Sequence, residues 1–379
     1  AKANEPIATG ETPLMTCSKT GNDDAVRILL EYGANINAAE PSQGQTPLMW
    51  AAAERHANVV KALIGANADL NARTNQGFAA IHFAARVGDV ESLKLFLAAG
   101  VDVNTLTKAR GANAQTTGYT PLLIATLRAR TDTVLFLLDH GADPNNLSAG
   151  LTPLHWAATS WEGFASNPVY GFEDPMSGIP NREDKLRIVK ALLAKGANVN
   201  ARMTKRQPSF ATGYQDCVGA TPLLLAASVD DVEMMKLLLA AGADPKIKTA
   251  TNASSIMAAT GLNHGIGESF VTEKEATEAV NLLLSLGVEP KGETTFGENA
   301  LFGPAYRGWN KLLAQMVDLG VNVNAVSKAG VTPWLAANGQ GDRLGGVLYN
   351  QEGADYLKKH GADPKLGSPC EAQNKCREK

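Results

Sequence analysis

The sequence predicts an all-α protein made of nine copies of a helix pair, and two recurring phrases carry this prediction. The opening phrase is Thr-Pro followed by Leu or Trp, and it begins at Thr12, Thr46, Thr120, Thr152, Thr221 and Thr332. Degenerate openings begin at Ala79, Ala253 and Asn299. A closing phrase, typically Gly-Ala-Asn or Gly-Ala-Asp, follows each opening once, at residues 33, 67, 100, 141, 196, 242, 287, 320 and 361. Openings and closings therefore match one to one.

Each part of the repeat has a local physical reason. An opening Thr can accept a hydrogen bond from an unpaired backbone N–H at a helix start, and Pro fits the first helical position. Small residues such as Ala51 and Ala52 then let a neighbouring helix approach closely. A second apolar stripe follows, as in Leu237–Leu239, and the closing Gly permits the left-handed backbone that ends a helix. Each copy is thus predicted to be helix, turn, helix and exposed loop.

The pattern resembles the ankyrin repeat. Residues 152–157 read Thr-Pro-Leu-His-Trp-Ala and match the family's T-P-L-H-x-A phrase. The resemblance covers residues 10 to about 366, and it implies one solenoid of stacked helix pairs with β-hairpin loops, assigned here to 1–366. It also implies that His82 and His155 bond to loop backbone and are structural. Because no repeat can bury its faces alone, stability is expected to come from neighbouring repeats.

Spacing between the phrases places five insertions in this array, near 105–118, 160–184, 201–219, 260–276 and 339–353. Loops on a rigid scaffold are where function concentrates. The 160–184 insertion is aromatic and has a net charge of −4, whereas 201–219 has a net charge of +2. Two interpretations stay open, since the aromatic side chains could bind a partner or only pack on the solenoid.

The candidate partner-binding residues fall into three groups. The residues before three consecutive openings are apolar and predict an exposed stripe at the hairpin tips, bordered by residues at the ends of the first helices; the alternative is that they pack within the chain. The stripe and its border comprise Phe78, Tyr119, Leu151, Arg86, Leu127 and Arg128. The insertions add Trp161, Phe164, Tyr170, Phe172, Arg202, Lys205, Arg206, Phe210 and Tyr214.

No catalytic or metal-binding constellation is evident in the sequence, so we expect no enzyme activity, metal, cofactor or small-molecule substrate. The six histidines lack metal-ligand spacing. A net charge of −3 argues against a nucleic-acid partner, which usually requires a basic excess. No apolar run approaches the ~20 residues that span a bilayer.

The C-terminal tail, 367–379, contains Cys370 and Cys376, which are candidates for a small disulfide loop in an oxidising compartment. The sequence begins at Ala1 rather than Met, as a processed secreted protein does. These two features favour a periplasmic or secreted location, with a cytoplasmic one left open.

The sequence therefore predicts a non-enzymatic protein–protein interaction module, an accessory or adaptor subunit that binds one specific protein or a larger complex through hairpin tips, concave groove and inserted loops. An alternative is a small-molecule or enzymatic pocket under loops 160–184 and 201–219. A third possibility is an architectural spacer.

Overall fold

A computed structural model describes residues 2–108, 117–159, 182–205, 217–262, 271–340 and 349–368. These residues form helices, turns and hairpin-like loops and contain no β-strand, which confirms the all-α prediction. The helices are α1 (Pro13–Thr20), α2 (Asp23–Glu31), α3 (Pro47–Ala53), α4 (Ala57–Gly65), α5 (Ala80–Val87), α6 (Val90–Ala98), α7 (Pro121–Leu127), α8 (Thr131–Asp139), α9 (Pro153–Ala157), α10 (Arg182–Ala194), α11 (Pro222–Ser228), α12 (Val232–Ala240), α13 (Ser255–Ala259), α14 (Glu273–Ser285), α15 (Phe302–Arg307), α16 (Asn310–Asp318), α17 (Pro333–Ala337) and α18 (Gln351–Lys359).

The described helices fall into two compact units, α1–α10 in unit 1 and α11–α18 in unit 2. Within each unit the odd-numbered helices start at an opening phrase; we call them inner helices. The even-numbered, outer helices pack behind them. Inner helices contact inner helices, as α1 contacts α3, and outer helices contact outer helices, as α12 contacts α14. That all nine repeats form a single solenoid over 1–366 stays a prediction.

The helix boundaries form as the two phrases predict. The Thr46 hydroxyl accepts a hydrogen bond from the Met49 N–H at 3.4 Å, and Thr221 does the same for Leu224 at 3.3 Å. At the other end, Gly33 has a φ of 75°, the left-handed conformation that stops a helix. Asn67, which replaces the closing Gly of the second repeat, adopts a similar φ of 64°. Asn tolerates this conformation better than most residues, which explains why the repeat accepts it.

Successive hairpin loops in a unit are joined by single backbone hydrogen bonds. In unit 1 the Asn75 N–H donates to the Gln43 carbonyl at 2.7 Å, and the Lys108 N–H donates to the Gly77 carbonyl at 3.0 Å. In unit 2 the Thr295 N–H donates to the Thr251 carbonyl at 2.8 Å. The loops therefore form a row on the helix pairs without becoming β-strands among the described residues.

The two opening-phrase histidines are structural, as the family resemblance implies. The His82 Nδ1 accepts the Ala79 N–H at 3.0 Å, so Nε2 carries the proton and donates to the Thr105 carbonyl at 2.9 Å. The His155 Nδ1 accepts the Thr152 N–H at 3.1 Å. Burial of His82 lowers its pKa to about 4, because the interior disfavours the imidazolium.

We expect His82 to make folding stability depend on pH. Its pKa is about 4 in the folded chain against about 6.5 when unfolded, so the neutral ring stabilises the fold above pH 6.5, and this contribution is lost as the pH falls towards 4. The full loss is on the order of 3 kcal/mol. Urea unfolding at about pH 7 and about pH 4.5 should show a smaller pH effect in His82→Gln than in the unsubstituted chain.

The matched control is His140→Gln, since His140 is exposed at the end of α8. This variant should keep the pH effect of the unsubstituted chain. An unchanged pH effect in His82→Gln would contradict the assignment.

A set of asparagines, which we call the Asn ladder, ties several closing phrases to the chain segment that precedes them. The Asn145 Nδ2 donates to the Gly196 carbonyl at 2.9 Å, while its Oδ1 accepts the Asn198 N–H at 2.6 Å. The same pair of bonds is made by Asn4, Asn104, Asn200 and Asn324. Each asparagine thereby satisfies a carbonyl at the end of the neighbouring outer helix and an N–H two residues later.

Removing one rung should weaken the stack. Asn324→Ala loses a 2.9 Å bond to the Gly361 carbonyl and a 2.8 Å bond from the Asp363 N–H. Two such bonds contribute about 1–3 kcal/mol to the free energy of unfolding, measurable by urea titration. Lys365→Ala is the control, because Lys365 stands at the same position of the ninth repeat. Equal decreases in the free energy of unfolding of both variants would show that the two asparagine hydrogen bonds make no specific contribution to stability.

Candidate functional site

The predicted apolar stripe at the hairpin tips is not exposed. Tyr119 is 3% exposed and Leu151 1%, while Phe78 is half-buried. The Tyr119 N–H donates to the Thr107 hydroxyl and its carbonyl accepts the Thr107 N–H, both at 2.9 Å. This pairing closes the loop at the residue before the opening phrase and leaves that residue in the interior. The expectation of exposure was therefore wrong for Tyr119 and Leu151, and the alternative of packing within the chain holds for them.

The error concerns which position of the hairpin loop is exposed. In the eighth repeat, Glu298 precedes the opening residue and is buried, while Phe296, two residues earlier, is 40% exposed. Gly297 takes the left-handed turn between them, with a φ of 75°. Val326 on the following loop is 39% exposed, and the Lys328 Nζ lies 5.4 Å from the centroid of the Phe296 ring. These exposed residues were not predicted from the sequence. The signal that indicates them is the glycine two residues before the opening residue, here Gly297, because a left-handed turn at this position separates the exposed residue from the buried one.

The ends of the inner helices in unit 1 carry cations held over aromatic rings. The Lys19 Nζ lies 4.5 Å from the centroid of the Trp50 ring, across neighbouring helices α1 and α3. The Arg86 Cζ lies 5.1 Å from the centroid of the Phe83 ring, within α5. Lys19 is exposed, whereas Trp50 and Arg86 are half-buried. Contacts of this kind contribute about 0.5–1 kcal/mol each at exposed sites.

The next inner helix, α7, continues this surface with half-buried Leu127 and Arg128 at its end. Helices α1, α3, α5 and α7 contact one another in that order. We call the resulting surface the inner-helix row; it consists of Lys19, Trp50, Arg86, Leu127 and Arg128, together with the buried Phe83 ring beneath Arg86. Three of the predicted residues, Arg86, Leu127 and Arg128, thus lie on successive inner helices of this row, whereas Lys19, Trp50 and Phe83 were not predicted from the sequence.

Over the first four repeats, α1–α8, charge is divided between the two helix layers of unit 1. The inner helices α1, α3, α5 and α7 with their following turns (13–22, 47–56, 80–89 and 121–130) carry five basic and two acidic residues: Lys19, Arg55, Arg86, Arg128 and Arg130 against Glu54 and Asp89. The outer helices α2, α4, α6 and α8 carry three basic and six acidic residues: Arg27, Lys61 and Lys94 against Asp23, Asp24, Glu31, Glu91, Asp132 and Asp139. The remaining outer helix of unit 1, α10, has the opposite balance, with four basic and two acidic residues: Arg182, Lys185, Arg187 and Lys190 against Glu183 and Asp184. The inner-helix row therefore lies on the positive side of the first four repeats.

Arg202 has a structural role in addition to its predicted role in partner binding. Its Nε donates to the Gly219 carbonyl at 3.2 Å and its Nη2 to the Lys248 carbonyl at 3.0 Å, joining successive hairpin loops. Arg73 makes the equivalent link in unit 1, to the Leu106 carbonyl at 2.8 Å. Partner contacts by Arg202, and by the exposed Lys205, stay predictions.

The other predicted residues lie outside the described part of the chain: Trp161, Phe164, Tyr170, Phe172, Arg206, Phe210, Tyr214, Cys370 and Cys376. Their roles stay predictions, and so do the disulfide, the secreted location and the pocket under the loops. Within the described ranges, no group of three His, Cys, Asp or Glu side chains is arranged to hold a metal ion. No helix formed by those residues has the length and apolarity to cross a membrane.

Comparison with known proteins gives matches over much of the chain. An E3 ubiquitin-protein ligase KEG from Arabidopsis thaliana is 25% identical over 77% of this chain and 18% of its own length. The nuclear factor NF-kappa-B p105 subunit of Gallus gallus is 33% identical over 39% of this chain and 15% of its own. The chain thus spans less than a fifth of these relatives. A human ASB11 ankyrin repeat domain has a TM-score of 0.49 and 21% identity, over 72% of this chain and 98% of that one.

Family models described as "Ankyrin repeats (3 copies)" match residues 1–74 and 81–165, and "Ankyrin repeat" matches 218–250. Together these matches cover about half of the chain. Ankyrin repeats are generic protein–protein interaction modules and are generally not enzymes, although the ligase named above matches this chain as well. This chain belongs to the ankyrin-repeat family.

Proposed function

We propose that this chain is a non-enzymatic accessory or adaptor subunit that binds one specific protein partner at the inner-helix row. The observation that supports this proposal is the convergence of two cation–aromatic pairs, Lys19 with Trp50 and Arg86 with Phe83, on neighbouring helices beside Leu127. Aromatic and arginine side chains dominate the energy of protein interfaces, because they bury large rigid surfaces and form directed hydrogen bonds.

The scaffold favours binding because it fixes these side chains before a partner arrives. The helix that carries Phe83 and Arg86 is held at its start by His82 and at its end by Arg130, whose Nε donates to the Arg86 carbonyl at 3.1 Å. A surface built on rigid elements loses little conformational entropy on association. The row can therefore bind without a large ordering cost.

A phage-displayed library of random peptides, selected on the intact chain, tests the proposal. Leu127→Ala with Arg128→Ala removes one end of the inner-helix row. We expect selected peptides to bind this double variant at least about tenfold more weakly, since a few interface residues carry most of the affinity. Fluorescence anisotropy of the labelled peptides gives the dissociation constants.

The matched control is Lys94→Ala with Leu95→Ala, which removes one cation and one half-buried leucine from the outer helix α6. It should leave the affinities unchanged. Equal losses in both double variants, or a loss only in the control, would contradict binding at the inner-helix row. Circular dichroism and urea midpoints establish that both variants remain folded.

A further inference from the structure

We infer that the segment bound by the inner-helix row is an acidic peptide in which carboxylates alternate with apolar side chains. This inference rests on the proposed function and adds the chemistry of the partner. It follows from three features of unit 1: the charge of its inner layer, the pairing of cations with rings, and the spacing of its helices.

The first feature is the excess of positive charge on the inner layer. Five basic residues face two acidic ones there, and one of the acidic ones, Asp89, is buried with its carboxylate accepting the Ser92 N–H at 3.2 Å. The outer helices α2, α4, α6 and α8, which pack behind this layer, carry the opposite excess, whereas the outer helix α10 does not. An acidic segment would therefore be attracted to the inner layer and repelled by the outer one, which orients its approach.

The second feature is the mixed surface that the Lys19–Trp50 pair presents. Lys19 places its charge beside the half-buried Trp50 ring, whereas Arg86 lies over the Phe83 ring, which is only 6% exposed. A carboxylate can pair with either cation, while a neighbouring aliphatic or aromatic side chain packs on the Trp50 ring. A peptide with only polar side chains would bind such a surface less tightly, because it would remove the ring from water without making apolar contacts with it.

The third feature is the spacing of the helices. Neighbouring packed helices lie about 8–10 Å apart and an extended chain advances about 3.3 Å per residue, so one helix-to-helix step corresponds to about three residues. Lys19 on α1 and Arg86 on α5 are two steps apart, and Arg128 follows α7, one step further. Carboxylates about six and then about three residues apart would meet these three positions in turn.

A nucleic acid or a sulfated polysaccharide is the competing anionic partner, and the observations favour the peptide. The chain has a net charge of −3, whereas polyanion binding gains most from releasing counterions at many cations. The apolar part of the row, including Leu127, has no counterpart in a phosphate or sulfate backbone. The described inner helices of unit 2 do not repeat the cation row, since Arg307 is the one basic residue in α11, α13, α15 and α17.

The test uses the same peptide selection and a variant that removes charge but keeps the rings, Lys19→Gln with Arg86→Gln. Peptides that depend on the inner-helix row should be acidic, with carboxylates at the spacing given above. Their dissociation constants should rise at least tenfold in this variant and also rise when NaCl is increased from about 50 to about 300 mM, because salt screens exposed charges. The control, Arg27→Gln with Lys94→Gln on the outer helices, should change neither quantity.

Four outcomes would overturn the inference in distinguishable ways. Neutral or basic peptides that still depend on Leu127 and Arg128 would leave the proposed function in place and refute the acidic partner. Acidic peptides whose affinity is the same in Lys19→Gln with Arg86→Gln would do the same. Displacement of the peptides by heparin or by a single-stranded oligothymidine, with an affinity as high as the peptides', would identify a polyanion site instead. Peptides indifferent to the row altogether would refute both proposals.

Discussion

The contact between one helix pair and the next is the constraint on which the rest of this structure depends. A single pair is too small to bury its apolar side chains. Val59, Val60 and Leu63 are fully buried in α4, which packs on α3 of its own pair and on α2 and α6 of the neighbouring pairs. Burial alone does not fix how far one pair slides along another. The Asn ladder does, because each asparagine side chain must meet one carbonyl and one N–H of the neighbouring closing phrase at the same time.

Two places where the ladder changes chemistry show what asparagine contributes. Lys246 and Lys291 replace it in the sixth and seventh repeats, and a Cβ placed on Gly287 or Gly320 would lie 3.8 or 3.1 Å from the corresponding lysine Nζ. The lysines therefore reach the same closing glycines, where a positive charge suits the end of a helix. An ammonium group can donate but cannot accept, so the N–H two residues later is not paired by this side chain. Between these repeats, the favourable interaction of a side chain with the end of the helix is kept, whereas the hydrogen bond that an asparagine Oδ1 would accept is lost.

The sequence predicts local features of this fold well and contacts between repeats less well. Helix starts such as Thr46 follow from side-chain capping within four residues, and they were predicted. Most asparagines of the Asn ladder are visible in the sequence, four residues after a closing glycine. Their function is not, because the groups that they bind lie in another repeat. The burial of Tyr119 depends on how its loop closes on Thr107, which residue type alone does not specify. The Lys19–Trp50 pair could not be predicted, because it depends on the register between α1 and α3.

The same register separates the cations that maintain the fold from those available for recognition. Arg130 and Arg202 each meet a carbonyl of a neighbouring repeat, so their charge serves to join repeats. Lys19, in the last turn of α1, instead lies over the Trp50 ring with its side chain exposed. For these three residues, the role follows from whether the neighbouring repeat offers a carbonyl or a ring. Of the five basic residues of the inner layer, Lys19 and Arg86 lie over rings, whereas Arg130 binds a carbonyl, so the positive side of the first four repeats combines both arrangements.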